Sequence, residues 1–75
     1  MADITVFTKT VCSQCDSTKA LLDELELEYD VINIETTPGA LAQLKAAGFR
    51  AAPVVVSTKG AWGGHNEEKI RALAV

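Results

Sequence analysis

The sequence predicts an α/β fold of order βαβαββα, a four-stranded mixed sheet flanked by three helices. Three observations point there. Apolar residues recur every second position in some stretches and every third or fourth in others, and the two spacings alternate along the chain. Glycines and prolines fall mostly where the spacing changes. A Cys-x-x-Cys, Cys12-Ser13-Gln14-Cys15, joins the first strand-like run to the first helix-like one. With 75 residues, 48% of them apolar, the chain is expected to fold as one domain over residues 1–75, close to the lower size limit for a single core.

Residues 3–8 alternate Ile4 and Val6 with Thr5 and Phe7 and read as the first strand. From Cys15 the spacing turns helical. Thr18, Leu21, Leu22 and Leu25 share one face, with Asp16, Lys19, Asp23 and Glu26 on the other. No glycine or proline stops this helix, which is expected to end near Glu26. Leu27, Tyr29 and Val31 return to a period of two and predict a second strand reaching about Ile34. Thr37-Pro38 predicts a helix start, with Thr37 capping and Pro38 at the first helical position, where its missing N–H costs nothing. Leu41 and Leu44, beside Ala40 and Ala47, are the expected buried face, and Gly48 the left-handed stop. Pro53 opens a third strand, Val54-Val55-Val56. Ser57-Thr58-Lys59-Gly60 reads as a tight turn into a fourth, Ala61-Trp62, which Gly63-Gly64 breaks. Asn66 can cap a last helix with Glu67 and Glu68 in its first turn and Arg71 in its last, anchored by Ile70 and Leu73. Strands joined through a helix should run parallel with a right-handed crossover, and the last two, joined by a short turn, antiparallel. This is the thioredoxin-like arrangement.

Charge and composition exclude several functions. The net charge is −3, with Asp3, Asp16, Asp23, Glu24, Glu26, Glu28, Asp30 and Glu35 in the first half against Lys9 and Lys19. The second half holds Lys45, Arg50, Lys59, Lys69 and Arg71 against Glu67 and Glu68. The asymmetry is either a solvated helix face or a field that steers a protein partner. No basic cluster or aromatic–basic interleaving suggests nucleic acid. No run approaches a membrane span, and the acidic opening Met1-Ala2-Asp3 does not read as a leader. The expected location is the cytoplasm, where a Cys-x-x-Cys is redox-active or metal-binding rather than structural.

The cysteine pair carries the chemistry. A disulfide between Cys12 and Cys15 would close a loop of four residues, a poor staple for a small domain, so the pair points to dithiol–disulfide exchange. Cys12 at a helix N-terminus meets unpaired N–H groups and a dipole that favour its thiolate, the attacking species. Lys9 adds a positive field and Asp16 opposes it. Cys12 is expected to attack a substrate disulfide, and Cys15, one turn deeper and shielded, to resolve the mixed disulfide. Ser13 and Gln14, both polar, leave a wide approach and tune the potential. A zinc site wants four ligands, and Cys12, Cys15 and His65 do not supply them, so no metal site is expected.

Pro53 is the second landmark. It is either a rigid strand start or a cis-proline after Ala52 that exposes backbone to an extended substrate segment. Trp62 reads as core or as a contact beside Gly63-Gly64. His65 is a surface residue or an aid to proton transfer, and Arg50 a surface charge or an anchor for the loop before Pro53.

Together these residues resemble the NrdH-redoxins, small glutaredoxin-like proteins that behave like thioredoxins. The similarity runs nearly end to end through Ile4-Thr5-Val6-Phe7-Thr8-Lys9, Cys12-x-Gln14-Cys15, Gly48-Phe49-Arg50-x-x-Pro53-Val54-Val55, and Trp62 with Gly64. The resemblance implies a cis Pro53 and a redox-active Cys12–Cys15 disulfide with no bound cofactor. It implies electrons drawn indirectly from NADPH through thioredoxin reductase and delivered to class Ib ribonucleotide reductase, by a chain expected to be monomeric. Arg50, Ala52, Trp62, Gly63, Gly64 and His65 are the expected partner-binding residues. The chain departs from the family pattern at Ser13, commonly Val, and at Gly63-Gly64-His65-Asn66-Glu67, usually Ser-Gly-Phe-Arg-Pro. The double glycine also resembles that of glutathione-dependent glutaredoxins, but these carry Pro-Tyr between the cysteines and an acid after the glycines. A glutathione-dependent glutaredoxin, and an iron–sulfur cluster or metal-binding module shared between chains, are the alternatives.

Overall fold

The computed structural model describes residues 3–74. The leader reading, which rests on Met1 and Ala2, lies outside them. The elements follow the expected order: β1 (Thr5–Thr8), α1 (Ser13–Glu24), β2 (Asp30–Asn33), α2 (Ala40–Ala46), β3 (Val54–Ser57), β4 (Gly60–Gly63) and α3 (Glu67–Leu73). The strands form one four-stranded sheet in the order β2-β1-β3-β4. β1 pairs in parallel with β2 across the α1 crossover, while β1–β3 and β3–β4 are antiparallel.

The register explains the layers. Val6, Val55 and Trp62 lie opposite one another on adjacent strands and therefore share a face. They pack with Ile4, with Leu21 and Leu22 of α1 and with Ile70 of α3 to form the core. Val54 is buried as completely as its neighbour Val55. Successive strand side chains point to opposite faces, so both faces of the central strand are covered. α1 and α3 share the first face, which leaves α2, through Ala40 and Leu44, for the second.

Several boundaries differ from those the spacing predicts. α1 ends at Glu24, and Glu26 takes the left-handed conformation (φ 58°) that a glycine usually supplies. The Leu27 N–H bonds Leu22 O and the Glu26 N–H bonds Asp23 O, both at 3.0 Å, so Leu27 closes the helix instead of opening a strand. β2 therefore begins only at Asp30. It is an edge strand, and Val31 is 48% exposed there. Leu27 and Tyr29 still pack partly against the core.

α2 starts later than Thr37-Pro38 predicts. Gly39, at φ 82°, occupies the cap position and makes no side-chain cap bond, while Thr37 contributes only its carbonyl, to Ala40 N at 3.2 Å. With seven residues the helix buries one narrow stripe, Ala40 and Leu44, and leaves Leu41 and Ala47 exposed. Gly48 (φ 94°) ends it as predicted: Phe49 N–H reaches back to Leu44 O at 2.9 Å, and Gly48 N–H to Lys45 O at 3.1 Å. Gly63 belongs to β4, so the break falls at Gly64 (φ 82°) alone. α3 follows its prediction, with Asn66 capping Lys69 N at 3.1 Å and Arg71 bridging Glu67 at 2.9 Å.

Candidate active site

The topology gathers the candidate residues at one end of the sheet. β1 and β2 end there, β3 begins there after Pro53, and β4 ends there at Gly63. Ligands of α/β sheets favour this end, beyond the carboxyl ends of the parallel strands.

Cys12 is the N-cap residue of α1, in extended conformation (φ −158°, ψ 101°). Its Sγ accepts from Cys15 N–H at 3.1 Å, in the place a serine or aspartate oxygen would fill at an ordinary cap. Cys15 is completely buried one turn further along, and Cys12 is half-buried. The two are joined as a disulfide with Cα atoms 5.2 Å apart, inside the usual range for such bonds. The helix that follows has 12 residues, and its first-turn N–H groups point at Cys12.

Two of the charges near the pair have neighbours of their own. Asp16 lies 3.7 Å from the Lys19 ammonium, which moderates its negative charge at the helix start. The Lys9 field is felt at Glu35. There a carboxylate oxygen accepts from Thr10 N–H at 2.6 Å, and this bond, ahead of any effect of Lys9, holds the Glu35 carboxyl below its ordinary value. Asn33 joins the same cluster, with its Nδ2 3.4 Å from Thr10 Oγ1 and its Oδ1 accepting from Glu35 N at 2.8 Å. The loop that presents Cys12 is thus tied to the end of β2.

The Ala52–Pro53 peptide is cis, as the resemblance implies, and Pro53 is buried. Its carbonyl accepts from Gly64 N–H at 2.8 Å, which joins the two loops. Phe49 lies over Gly63, where an added Cβ would come within 3.3 Å of its ring. Ser13 and Gln14 are exposed on the first turn of α1. Arg50 is exposed, lining a shallow cleft with Lys45, Gly48 and Phe49, and Ala52 is half-buried. Trp62 is 9% exposed and part of the core, because its position on β4 faces α1 and α3; it does not join the exposed face beside Gly64. His65 Nδ1 lies 2.9 Å from the buried Thr18 Oγ1. Thr10, Thr18, Glu35 and Phe49 are the residues that sequence reasoning did not single out for the site. Val11 is 84% exposed immediately before Cys12. Among the described residues, no group of three or more His, Cys, Asp or Glu could hold a metal ion, and no helix is long and apolar enough to cross a membrane.

Comparison with known proteins agrees with this arrangement. The glutaredoxin family model matches residues 4–60. The glutaredoxin-like protein NrdH of Escherichia coli is 34% identical over 70 residues, covering 93% of this chain and 86% of the relative. That of Lactococcus lactis subsp. lactis is 37% identical over 71 residues, covering 95% and 99%. The solved structure of Escherichia coli NrdH-redoxin superposes with a TM-score of 0.90 at 34% identity, covering 93% of this chain and 92% of that one. The chain belongs to the NrdH-redoxins of the glutaredoxin family. A buckwheat glutaredoxin in complex with glutathione is more distant, with a TM-score of 0.78 at 29% identity over 97% of this chain and 72% of that one. As a NrdH-redoxin the chain is a redox oxidoreductase, and the Cys12–Cys15 pair is its dithiol–disulfide couple.

Proposed function

We propose that this NrdH-redoxin takes electrons from NADPH through thioredoxin reductase and passes them to a protein disulfide in the cytoplasm, that of class Ib ribonucleotide reductase. The observation that carries the reading is the asymmetry of the pair: Cys12 Sγ caps α1 at the surface, and Cys15 is sealed beneath it. In the reduced protein the helix N-terminus favours a thiolate at Cys12. That thiolate attacks one sulfur of the substrate disulfide. The substrate S–S bond breaks, a mixed disulfide forms, and the departing thiolate takes up a proton. Cys15 then loses its proton and attacks Cys12 Sγ. The mixed disulfide breaks, the second substrate thiolate is protonated, and Cys12–Cys15 is left oxidised. Two electrons and two protons have passed to the substrate, and the reductase restores them.

The NrdH-redoxin of Escherichia coli is described as having a thioredoxin-like activity profile, which supports the same electron source here. Ser13-Gln14 between the cysteines and His65-Asn66 after the double glycine support it too, because both depart from the glutathione-binding pattern. The test is NADPH oxidation with thioredoxin reductase and insulin as the disulfide. Turnover is expected there, and turnover only with glutathione and glutathione reductase would overturn the assignment. Cys12→Ser abolishes reduction, whereas Cys15→Ser accumulates a mixed disulfide through Cys12, seen as a mass adduct. An adduct on Cys15 in the Cys12→Ser chain, with none in the Cys15→Ser chain, would reverse the roles.

A further inference from the structure

Thr18 is fully buried on α1, three residues after Cys15 and therefore on the same helix face. A hydroxyl placed that deep needs a partner. It finds one from a distant part of the chain: His65 Nδ1, 2.9 Å away and 47 residues on. Either tautomer of His65 is served, because a hydroxyl both donates and accepts.

His65 belongs to a short segment, Gly63 to Asn66, that is fastened along its whole length. Gly63 lies under the Phe49 ring, with room for an added Cβ only at 3.3 Å. Gly64 N–H donates to Pro53 O at 2.8 Å. Asn66 caps α3 through Lys69 N at 3.1 Å. The bond from His65 to Thr18 ties this segment to the helix that carries both cysteines. Gly64, at φ 82°, takes the left-handed conformation that turns the chain between β4 and α3.

We propose that His65 is a positioning residue: through Thr18 it fixes the Gly63–Gly64 backbone against α1, so that the cysteine helix, the Pro53 loop and the double glycine form one rigid docking edge for an extended disulfide-bearing segment. The inference rests on the reading of the protein as a reductant of protein disulfides. It assigns a role to the stretch where the chain departs from its family's Ser-Gly-Phe-Arg-Pro pattern. It also specifies what His65 contacts: Thr18, and not the reacting sulfurs.

The test needs no reductase, so its failure is separable from a wrong electron source. The chain is reduced with dithiothreitol, freed of it, and mixed with rising concentrations of insulin in single-turnover experiments. Loss of one net hydrogen bond should raise the half-saturating insulin concentration about three- to tenfold in Thr18→Val and in His65→Ala, with the limiting rate retained. The double variant should be no worse than either single one, because both remove the same bond. Thr18→Ser, which keeps the hydroxyl, and His65→Asn, which keeps a polar atom at similar reach, should restore saturation close to that of the parent. The proposal is overturned if Thr18→Val saturates as the parent does. It is equally overturned if Thr18→Ser falls as far as Thr18→Val, or if the limiting rate falls while the half-saturating concentration stays fixed.

Discussion

At Thr10 a backbone N–H is spent on a side chain 25 residues away, the Glu35 carboxylate, at 2.6 Å. The hydrogen bonds from Thr10, backbone first and hydroxyl second, hold the Glu35 carboxyl below its ordinary value; desolvation opposes them weakly and Lys9 adds a last favourable increment. A carboxyl lowered on folding stabilises the fold above its unfolded value and loses that contribution as pH falls through the folded one. The Thr10 amide resonance should therefore move with Glu35, with a midpoint below the ordinary glutamate value of about 4.3. In Glu35→Gln the step should vanish. A Thr10 amide indifferent to acid, or one that titrates at or above that value, would show that the tie to the Cys12 loop is absent in solution. The contact also shows what the sequence could reveal of the site. The Cys12–Cys15 pair was legible because its chemistry lies in a local motif, and the cis Pro53 only through the family resemblance. Thr10–Glu35 and Thr18–His65 were not, because each pairs ordinary polar residues brought together only by the strand order and the crossover.

The helix ends show how far element reading goes. Type and order of all seven elements followed from spacing together with the turn residues between them, although β2 buries none of its four residues. The errors fall at the caps. Gly39, not Thr37, starts α2, since a left-handed residue there turns the chain after Pro38 before the helix begins. Leu27 resembled a strand residue because it alternates with Tyr29, yet its N–H completes the end of α1. That end requires the left-handed conformation from Glu26 (φ 58°), which an L-residue with a Cβ adopts at a cost. Glu26 is exposed, and its side chain bonds none of the described residues, so a substitution there tests the backbone alone. Glu26→Gly should stabilise the protein by roughly 0.5–1 kcal/mol, the relief of the left-handed cost less the extra entropy of a glycine in the unfolded chain. Urea denaturation measures it as a higher midpoint at unchanged slope. A lower midpoint would mean that the Glu26 side chain contributes more than its backbone costs.

Taken as a whole, the molecule must stay folded in both states of its redox couple, because a carrier passes through a form without its disulfide in every cycle. Three features make that possible. The core of Ile4, Val6, Leu21, Leu22, Val55, Trp62 and Ile70 joins the sheet to α1 and α3 without including either cysteine. The start of α1 is held by the N-cap bond from Cys15 N–H to Cys12 Sγ, which a thiolate would accept more strongly than a disulfide sulfur does. The disulfide links residues only three apart in sequence, so chain-entropy reasoning gives it about 2 kcal/mol at most, below the usual contribution of structural disulfides. Folding and redox are linked: any extra stability of the oxidised form equals the extra difficulty of reducing the folded protein relative to the unfolded chain. A small difference keeps the couple usable in both directions. Urea unfolding of the oxidised and dithiothreitol-reduced protein should therefore give free energies within about 2 kcal/mol of each other, both for cooperative transitions. A reduced chain already unfolded without denaturant would show that the disulfide holds the fold together, and a protein so built could not deliver electrons by the exchange described above.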